Sequence, residues 1–265
     1  MIGRVWGIAL NTFREAIRNK VLYGVIAAVV GANLFGLVLG SMSLNEGARI
    51  ARDIGLAGVS LFGSVTAIVL GVSLLYTEIQ KRTIHVVLAK PIQRHEFVLG
   101  KYGGMALTLT LLTAAFGAAM LAVVVGTAGL EGVSGAIGKA LLLGWMEVLV
   151  VAAVAVFFSS FSTPYLSGLF TFAVFFIGRL TPDLAYAAAR AKEEWIRVIA
   201  AAALRVVPDL HLFAVSGSEV GGKAVSVHGS FVGWEYVGWS AAHGLGWIGL
   251  LLVAAMVVFS RRDFT

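Results

Sequence analysis

The sequence predicts an all-α integral membrane protein with six transmembrane helices, and three observations carry the prediction. Apolar residues gather in separate runs of roughly 17–25, the length that crosses about 30 Å of hydrocarbon at 1.5 Å per residue. Hydrophobic residues make up 59% of the 265-residue chain and charged residues 13%, against about 25% charged in a soluble domain. The remaining charges cluster beside the apolar runs rather than within them. A soluble fold of this length could not bury so much apolar surface.

Residues 1–20 do not form a span. Ile2, Val5, Trp6, Ala9, Leu10, Phe13 and Ile17 recur at spacings of three and four, with Arg4, Asn11, Arg14, Glu15 and Arg18 opposite. That pattern predicts an amphipathic helix in the membrane interface, its basic side chains toward the headgroups; a cytosolic helix on a partner is the alternative. The predicted spans are Val21–Met42, Ile54–Tyr76, Gly103–Gly126, Ile137–Ser160, the short Pro164–Leu180, and Trp239–Ser260. The first apolar run is too long, and starts too late, for a secretory signal. The whole chain, 1–265, reads as one transmembrane domain.

The net charge of +6 reports orientation rather than a nucleic-acid surface, because the basic residues flank the spans. With the N-terminus inside, the inner segments hold eleven of them: Arg4, Arg14, Arg18, Lys20, Lys81, Arg82, Lys90, Arg94, Lys101, Arg261 and Arg262. The short outer loops hold three, Arg49, Arg52 and Lys139. Both termini are therefore expected on the cytoplasmic side of the cell (inner) membrane, and residues 181–238 outside. Within that outer stretch, Leu184, Ala188, Ala191, Trp195, Val198 and Ala202 share a face. They predict one interfacial or re-entrant helix over Asp183–Val206, with Trp195 at the outer mouth. Pro208 and the glycine-rich Gly217–Gly222 break regular structure after it.

The loop 77–101, TEIQKRTIHVVLAKPIQRHEFVLGK, is the most informative segment. Glu78–Ala89 can continue as helix out of the membrane. Pro91 holds Lys90 extended and suits the first turn of a new, short helix. A solvated loop that merely fixes topology is the bland alternative. Glu78-Ile79, Arg82-Thr83, Leu88-Ala89-Lys90-Pro91-Ile92, Arg94 and Val98-Leu99-Gly100-Lys101 resemble the cytoplasmic loop of ABC type-2 transporter permeases. Thr12–Lys20 is similar to the amphipathic helix that leads those proteins into the membrane. Val207-Pro208-Asp209-Leu210 and Phe259–Phe264 also match, so the resemblance runs along the whole chain in order.

That resemblance implies a non-catalytic permease subunit that pairs with a second copy or a paralogue and works with two cytosolic ABC ATPase subunits. It implies export of drugs, lipids, polysaccharides or peptides, or service to gliding-motility or copper-enzyme maturation systems. ATP and magnesium would sit on the partner, with no cofactor on this chain. The coupling loop would present Glu78, Lys81, Arg82, Arg94, His95 and Glu96 for charge-assisted contacts, with Phe97 as apolar anchor and Pro91 fixing the turn. Arg94 and Phe97 are the expected hot spots, since docked interfaces rest on a few buried anchors inside a polar rim.

The remaining motifs are weaker. Gly217–Ala224 nearly spells a phosphate-binding loop, but Ala224 stands where magnesium needs a hydroxyl, and no helix pattern follows. Glu147 lies inside the fourth span, where a carboxylate costs roughly 2.5–3.5 kcal/mol on insertion scales. It lies on the translocation path or at a dimer seam, or else is hydrogen-bonded near the outer end of its span. Asn33 in the first span poses the same alternatives. The five histidines show no ligand spacing, and the chain has no cysteine, so thiolate chemistry is excluded and no metal site is expected. Gly36 and Gly40 permit a close helix approach, within the chain or between copies. A membrane-embedded enzyme would need paired ionisable groups at matching depth, and only Glu147 qualifies. A scaffold that anchors a cytosolic partner is the third reading.

Overall fold

The computed structural model describes residues 2–42, 47–80, 93–129, 135–214, 218–220, 223–225 and 233–261. The described chain is helical apart from one small hairpin. Its elements are α1 (Ile2–Ile17), α2 (Lys20–Ser41), α3 (Gly47–Gln80), α4 (Arg94–Ala128), α5 (Gly135–Ser159), α6 (Pro164–Arg179), α7 (Thr181–Arg190), α8 (Glu194–Val206), a 3-10 turn at His211–Phe213, strands β1 (Ser218–Val220) and β2 (Lys223–Val225), and α9 (Trp234–Ser260). Five helices are long and apolar enough to cross a membrane; α6 and α7, bent by 68° at their junction, make a sixth span when counted together. This is a multi-pass membrane protein.

Helix α5 is the centre. It is apolar all round, and Val148–Val156 is buried without interruption, as expected of a helix enclosed by others. It packs against α3, α4, α6 and α9. The outer helices present their large apolar side chains outward: Tyr23, Leu34 and Phe35 on α2, Leu169 and Phe172 on α6, Leu250 and Val253 on α9. Those surfaces suit lipid tails.

The amphipathic α1 does more than float at the interface. It packs along the first half of α4, burying Ala9, Thr12 and Ala16. Gly100 and Gly104 allow the approach: a Cβ on Gly104 would stand 2.5 Å from the Ala9 carbonyl oxygen, and one on Gly100 would stand 2.6 Å from Ile8 Cβ. Gly36 faces Ile54 of α3 inside the same chain, which assigns it to intramolecular packing.

Three expected boundaries change. The short helix after Pro91 and the third span are one continuous 35-residue α4, because its start is buried against α1 and the last helix and gains by staying helical. The single outer helix 183–206 is two, α7 and α8, broken at Ala191–Glu193. Arg190 ends α7 and Glu194 opens α8, so each terminus carries the charge its dipole favours, which rewards a break there. The glycine-rich run holds an antiparallel hairpin, with Glu219 opposite Ala224, where a phosphate-binding loop would need a strand leading into a helix.

The α6–α7 bend has a local cause. Pro182 lacks the N–H that would bond the Gly178 carbonyl. That carbonyl instead accepts from the Thr181 hydroxyl at 2.9 Å and from Leu210 N–H at 3.0 Å. A Cβ on Gly178 would meet the Pro208 carbonyl oxygen at 2.5 Å, so the return segment lies directly on α6. It then buries Leu210 and Phe213 in the core.

Gly104→Val should push α1 off α4, since overpacking of this kind costs about 1–3 kcal/mol. Disulfide cross-linking between cysteines placed at Val5 and Leu99 reports it: the cross-link should form in the parent and fall sharply in the variant. An undiminished cross-link would show that the glycine seam does not hold α1.

Candidate functional site

Two clusters bring sequence-predicted residues together, in separate parts of the bundle. The first gathers on the opening turns of α4. Arg94 donates from Nη1 to the carbonyl oxygens of Phe259 at 3.2 Å and Ser260 at 2.9 Å, at the C-terminal end of α9. Both carbonyls belong to the last turn of α9, where the guanidinium complements the negative end of the helix dipole. One turn on, Phe97 stacks on Phe259, ring centroids 5.8 Å apart and planes at 15°. Glu96 accepts from the Gln93 backbone N–H at 3.2 Å, closing the first turn, and meets Arg4 of α1 at 3.8 Å. Lys101, 1% exposed, reaches Glu15 of α1 at 3.6 Å and lies 5.9 Å from the Phe97 ring centroid.

These placements show where the residues of the coupling-loop expectation lie within the chain. Phe97 is 5% exposed and Glu96 3%; both turn into their own chain rather than toward a partner. Arg94 is half-buried against α9. The reason is the length of α4, which carries its first turns back alongside α1 and α9. His95 is half-buried, and Glu78 lies within the last turns of α3. Lys81, Arg82 and Pro91 lie outside the described residues. On α1, Trp6 and Arg14 are exposed and Phe13 is half-buried, and Arg18, just past its end, is exposed.

The second cluster surrounds Glu147, fully buried in α5. Its Oε2 accepts from Ser60 Oγ of α3 at 2.7 Å. Its Oε1 accepts from Arg179 Nη1 at 2.5 Å, and the same nitrogen donates to Ser60 Oγ at 2.7 Å. Three helices thus meet on one carboxylate. Arg179 ends α6, whose 16 residues span only about 24 Å, less than the roughly 30 Å of hydrocarbon, and its guanidinium lies within reach of Glu147. Beside the cluster opens an apolar groove of about 520 Å³ between α2, α3 and α6, lined by Ala32, Ala57, Leu61 and Phe176, with Ser60 and Arg179 as its polar groups.

Asn33 does not join them. It is 6% exposed, and its Nδ2 donates to the Val29 carbonyl of its own helix at 2.9 Å. Trp195 is 63% exposed on α8, with Val198 and Ile199 beside it, so the apolar stripe of the outer helices faces outward.

The profile of the family described as ABC-2 family transporter protein matches residues 6–264. The chain belongs to this family. Membership makes it the membrane subunit of an ABC transporter and implies an ABC ATPase as its partner. A comparison with curated proteins returns no match.

Sequence reasoning found Glu147 but not its partners, Ser60 and Arg179. A signal was present: a carboxylate in hydrocarbon demands a cation at similar depth, and a short fifth span ending in arginine supplies one. It also missed the pairing of Lys101 and Glu96 with α1, whose trace is the run of glycines at 100, 103 and 104.

Removing one partner of a buried ion pair costs about 3–5 kcal/mol, because the other charge is stranded. Arg179→Ala should therefore lower thermal stability in detergent markedly, and Arg179→Ala with Glu147→Ala should recover much of the loss. A double variant as unstable as the additive sum of the two single ones would show that the pair is not coupled.

Proposed function

We propose that this ABC-2 protein moves a substrate outward across the cytoplasmic membrane as one of a pair of identical permease subunits, driven by two separate ATPase subunits. Both termini face the cytoplasm, and the α7–α8 pair with its hairpin lies outside, as the distribution of basic residues favours. The observation that carries the reading beyond family membership is the convergence on α4. Residues 94–101 are tied to α1 through Arg4–Glu96 and Lys101–Glu15, and to α9 through Arg94 and the Phe97–Phe259 stack.

Force applied next to these residues reaches three helices at once. Helices α3 and α4 both run on past the length a bilayer needs. At 34 and 35 residues, each is about 50 Å long against roughly 30 Å of hydrocarbon. The segment between them, residues 81–92, is the surface offered to the ATPase, with Glu78, Lys81, Arg82 and His95 as polar contacts and Pro91 limiting chain freedom. Phe97 and Arg94 pass the movement on from inside the subunit. At the outer end, Glu147, Ser60 and Arg179 beside the groove form the polar part of the translocation path, and Trp195 on α8 borders the mouth. Neither an intramembrane enzyme nor a passive scaffold accounts for both ends.

The decisive variant is Arg94→Ala with Phe97→Ala, assayed in a reconstituted complex. The ATPase should still bind and hydrolyse ATP, while transport or substrate stimulation of hydrolysis falls at least about tenfold; truncation of a buried phenylalanine is worth about 3–5 kcal/mol. Normal transport by a folded double variant would reduce the cluster to packing. Orientation has its own check, since the chain lacks cysteine. Ser218→Cys should react with an impermeant reagent added outside and Gln93→Cys should not, and the reverse pattern would invert the assignment of both ends.

A further inference from the structure

The groove beside Glu147 is apolar along its walls and carries one guanidinium. Both bonds that Arg179 makes to Ser60 and Glu147 leave from Nη1. Among the described residues its Nη2 and Nε have no hydrogen-bond acceptor, yet the side chain is 32% exposed and lines the groove. Guanidinium donors facing hydrocarbon are costly when unmet. Their planar fork matches a carboxylate or phosphate oxygen pair. The walls around it, Ala32, Ala57, Leu61, Phe176 and Leu180, offer only carbon. The volume of about 520 Å³ lies within the range of small-ligand sites, roughly 300–1,000 Å³.

We propose that this groove binds an acyl-chain amphiphile with an oxyanion head, of the fatty-acid or phospholipid class. The chain lies against α2, α3 and α6, and the head takes the outward edge of Arg179. Because Glu147 already balances the arginine charge, the head is recognised by charge-assisted hydrogen bonds rather than by net attraction. The groove opens beside the exposed apolar side chains of α2 and α6, so such a molecule can enter sideways from a bilayer. A second copy of the chain would fill the walls equally well, but an apolar helix face would leave the guanidinium edge unmet. The inference rests on the permease reading and supplies its substrate class.

Alkylation of the purified full-length chain in neutral detergent tests it, with single cysteines at Leu61 in the groove and at Leu250 on the lipid-facing side of α9. Oleate should slow maleimide reaction at position 61 about tenfold more than oleyl alcohol does, the discrimination expected of one charge-assisted contact of about 1.5 kcal/mol. Inorganic phosphate should do nothing at either position, because it lacks the tail. Oleate should leave position 250 unaffected beyond the general effect of the alcohol. Arg179→Lys keeps the charge beside Glu147 but loses the fork, and should cut the oleate effect several-fold in a folded protein. Ala57→Trp fills the groove while sparing the ion pair and should abolish it.

Equal protection by oleate and oleyl alcohol would overturn the headgroup assignment. Equal protection at both cysteines would mean simple partition into the micelle. Protection by protein concentration alone would give the groove to a second copy. Co-purification of the ATPase separates the two levels of argument. If the ATPase binds and hydrolyses ATP while oleate fails to protect, the amphiphile site falls and the permease reading stands. If no ATPase is recruited, the permease reading falls whatever oleate does.

Discussion

A carboxylate buried inside a membrane bundle has to be met by a cation or hydrogen-bond donors, and one part of this protein is arranged around that requirement. Glu147 sits on α5, the most enclosed helix, where bulk water cannot serve it. Arg179 meets it from the end of α6, which is shorter than a full bilayer crossing. The chain turns there, and Thr181 and the return segment at Leu210 take up the carbonyl that Pro182 leaves open. The bend and the docking of residues 207–214 thus lie directly beside the pairing. The pair itself adds little net stability, since desolvating two charges roughly cancels their attraction. Its effect is to hold a polar group at one defined place beside an apolar groove.

The other cluster uses burial of charge differently. Lys101 and Glu96 are almost inaccessible, yet each pairs with a residue of α1 that is itself partly or well exposed. Such contacts are too long to be strong hydrogen bonds and act as orientation rather than adhesion. The close fit comes from the glycines of α4, which bring backbone against backbone. Together they make α1, the first two turns of α4 and the last turn of α9 one unit, with its stiffness supplied by helices and its register fixed by ions and a ring stack.

Length and apolar segmentation made the membrane-spanning character legible, along with the approximate place of the spans, because crossing hydrocarbon constrains composition directly. The amphipathic pattern of residues 2–17 was equally legible as a helix, but not its partner, since a stripe of Ala9, Thr12 and Ala16 does not say whether lipid or protein covers it. Arg94 and Phe97 stood out by their place in the loop, yet the direction their side chains take was not legible. Residue type cannot distinguish an anchor offered to another chain from one turned onto α9, a contact between positions more than 160 residues apart. The break at Ala191–Glu193 was hidden because the apolar spacing runs through it, and only the charges at the two termini mark it. Arg179 shows the limit most clearly. Its pairing follows from the depth at which a short helix ends, a quantity that emerges once the spans are laid side by side.

Helix α3 joins the two regions. It carries Ser60 at the ion cluster and runs without interruption to Gln80, at the edge of residues 81–92. Those twenty intervening residues form a rod of about 30 Å. A tilt imposed at Gln80 is therefore felt at Ser60, whose hydroxyl bridges Glu147 and Arg179 with bonds of 2.7 Å on each side. Hydrogen bonds weaken steeply once stretched or misaligned, so a displacement of about an ångström at that point is enough to release Arg179 from Ser60 while leaving its direct contact with Glu147 in place. The guanidinium would then be freer to turn toward or away from the groove. A link from the edge of residues 81–92 to the polar floor of the groove therefore needs no chain of side-chain relays, because one helix runs from Gln80 to Ser60.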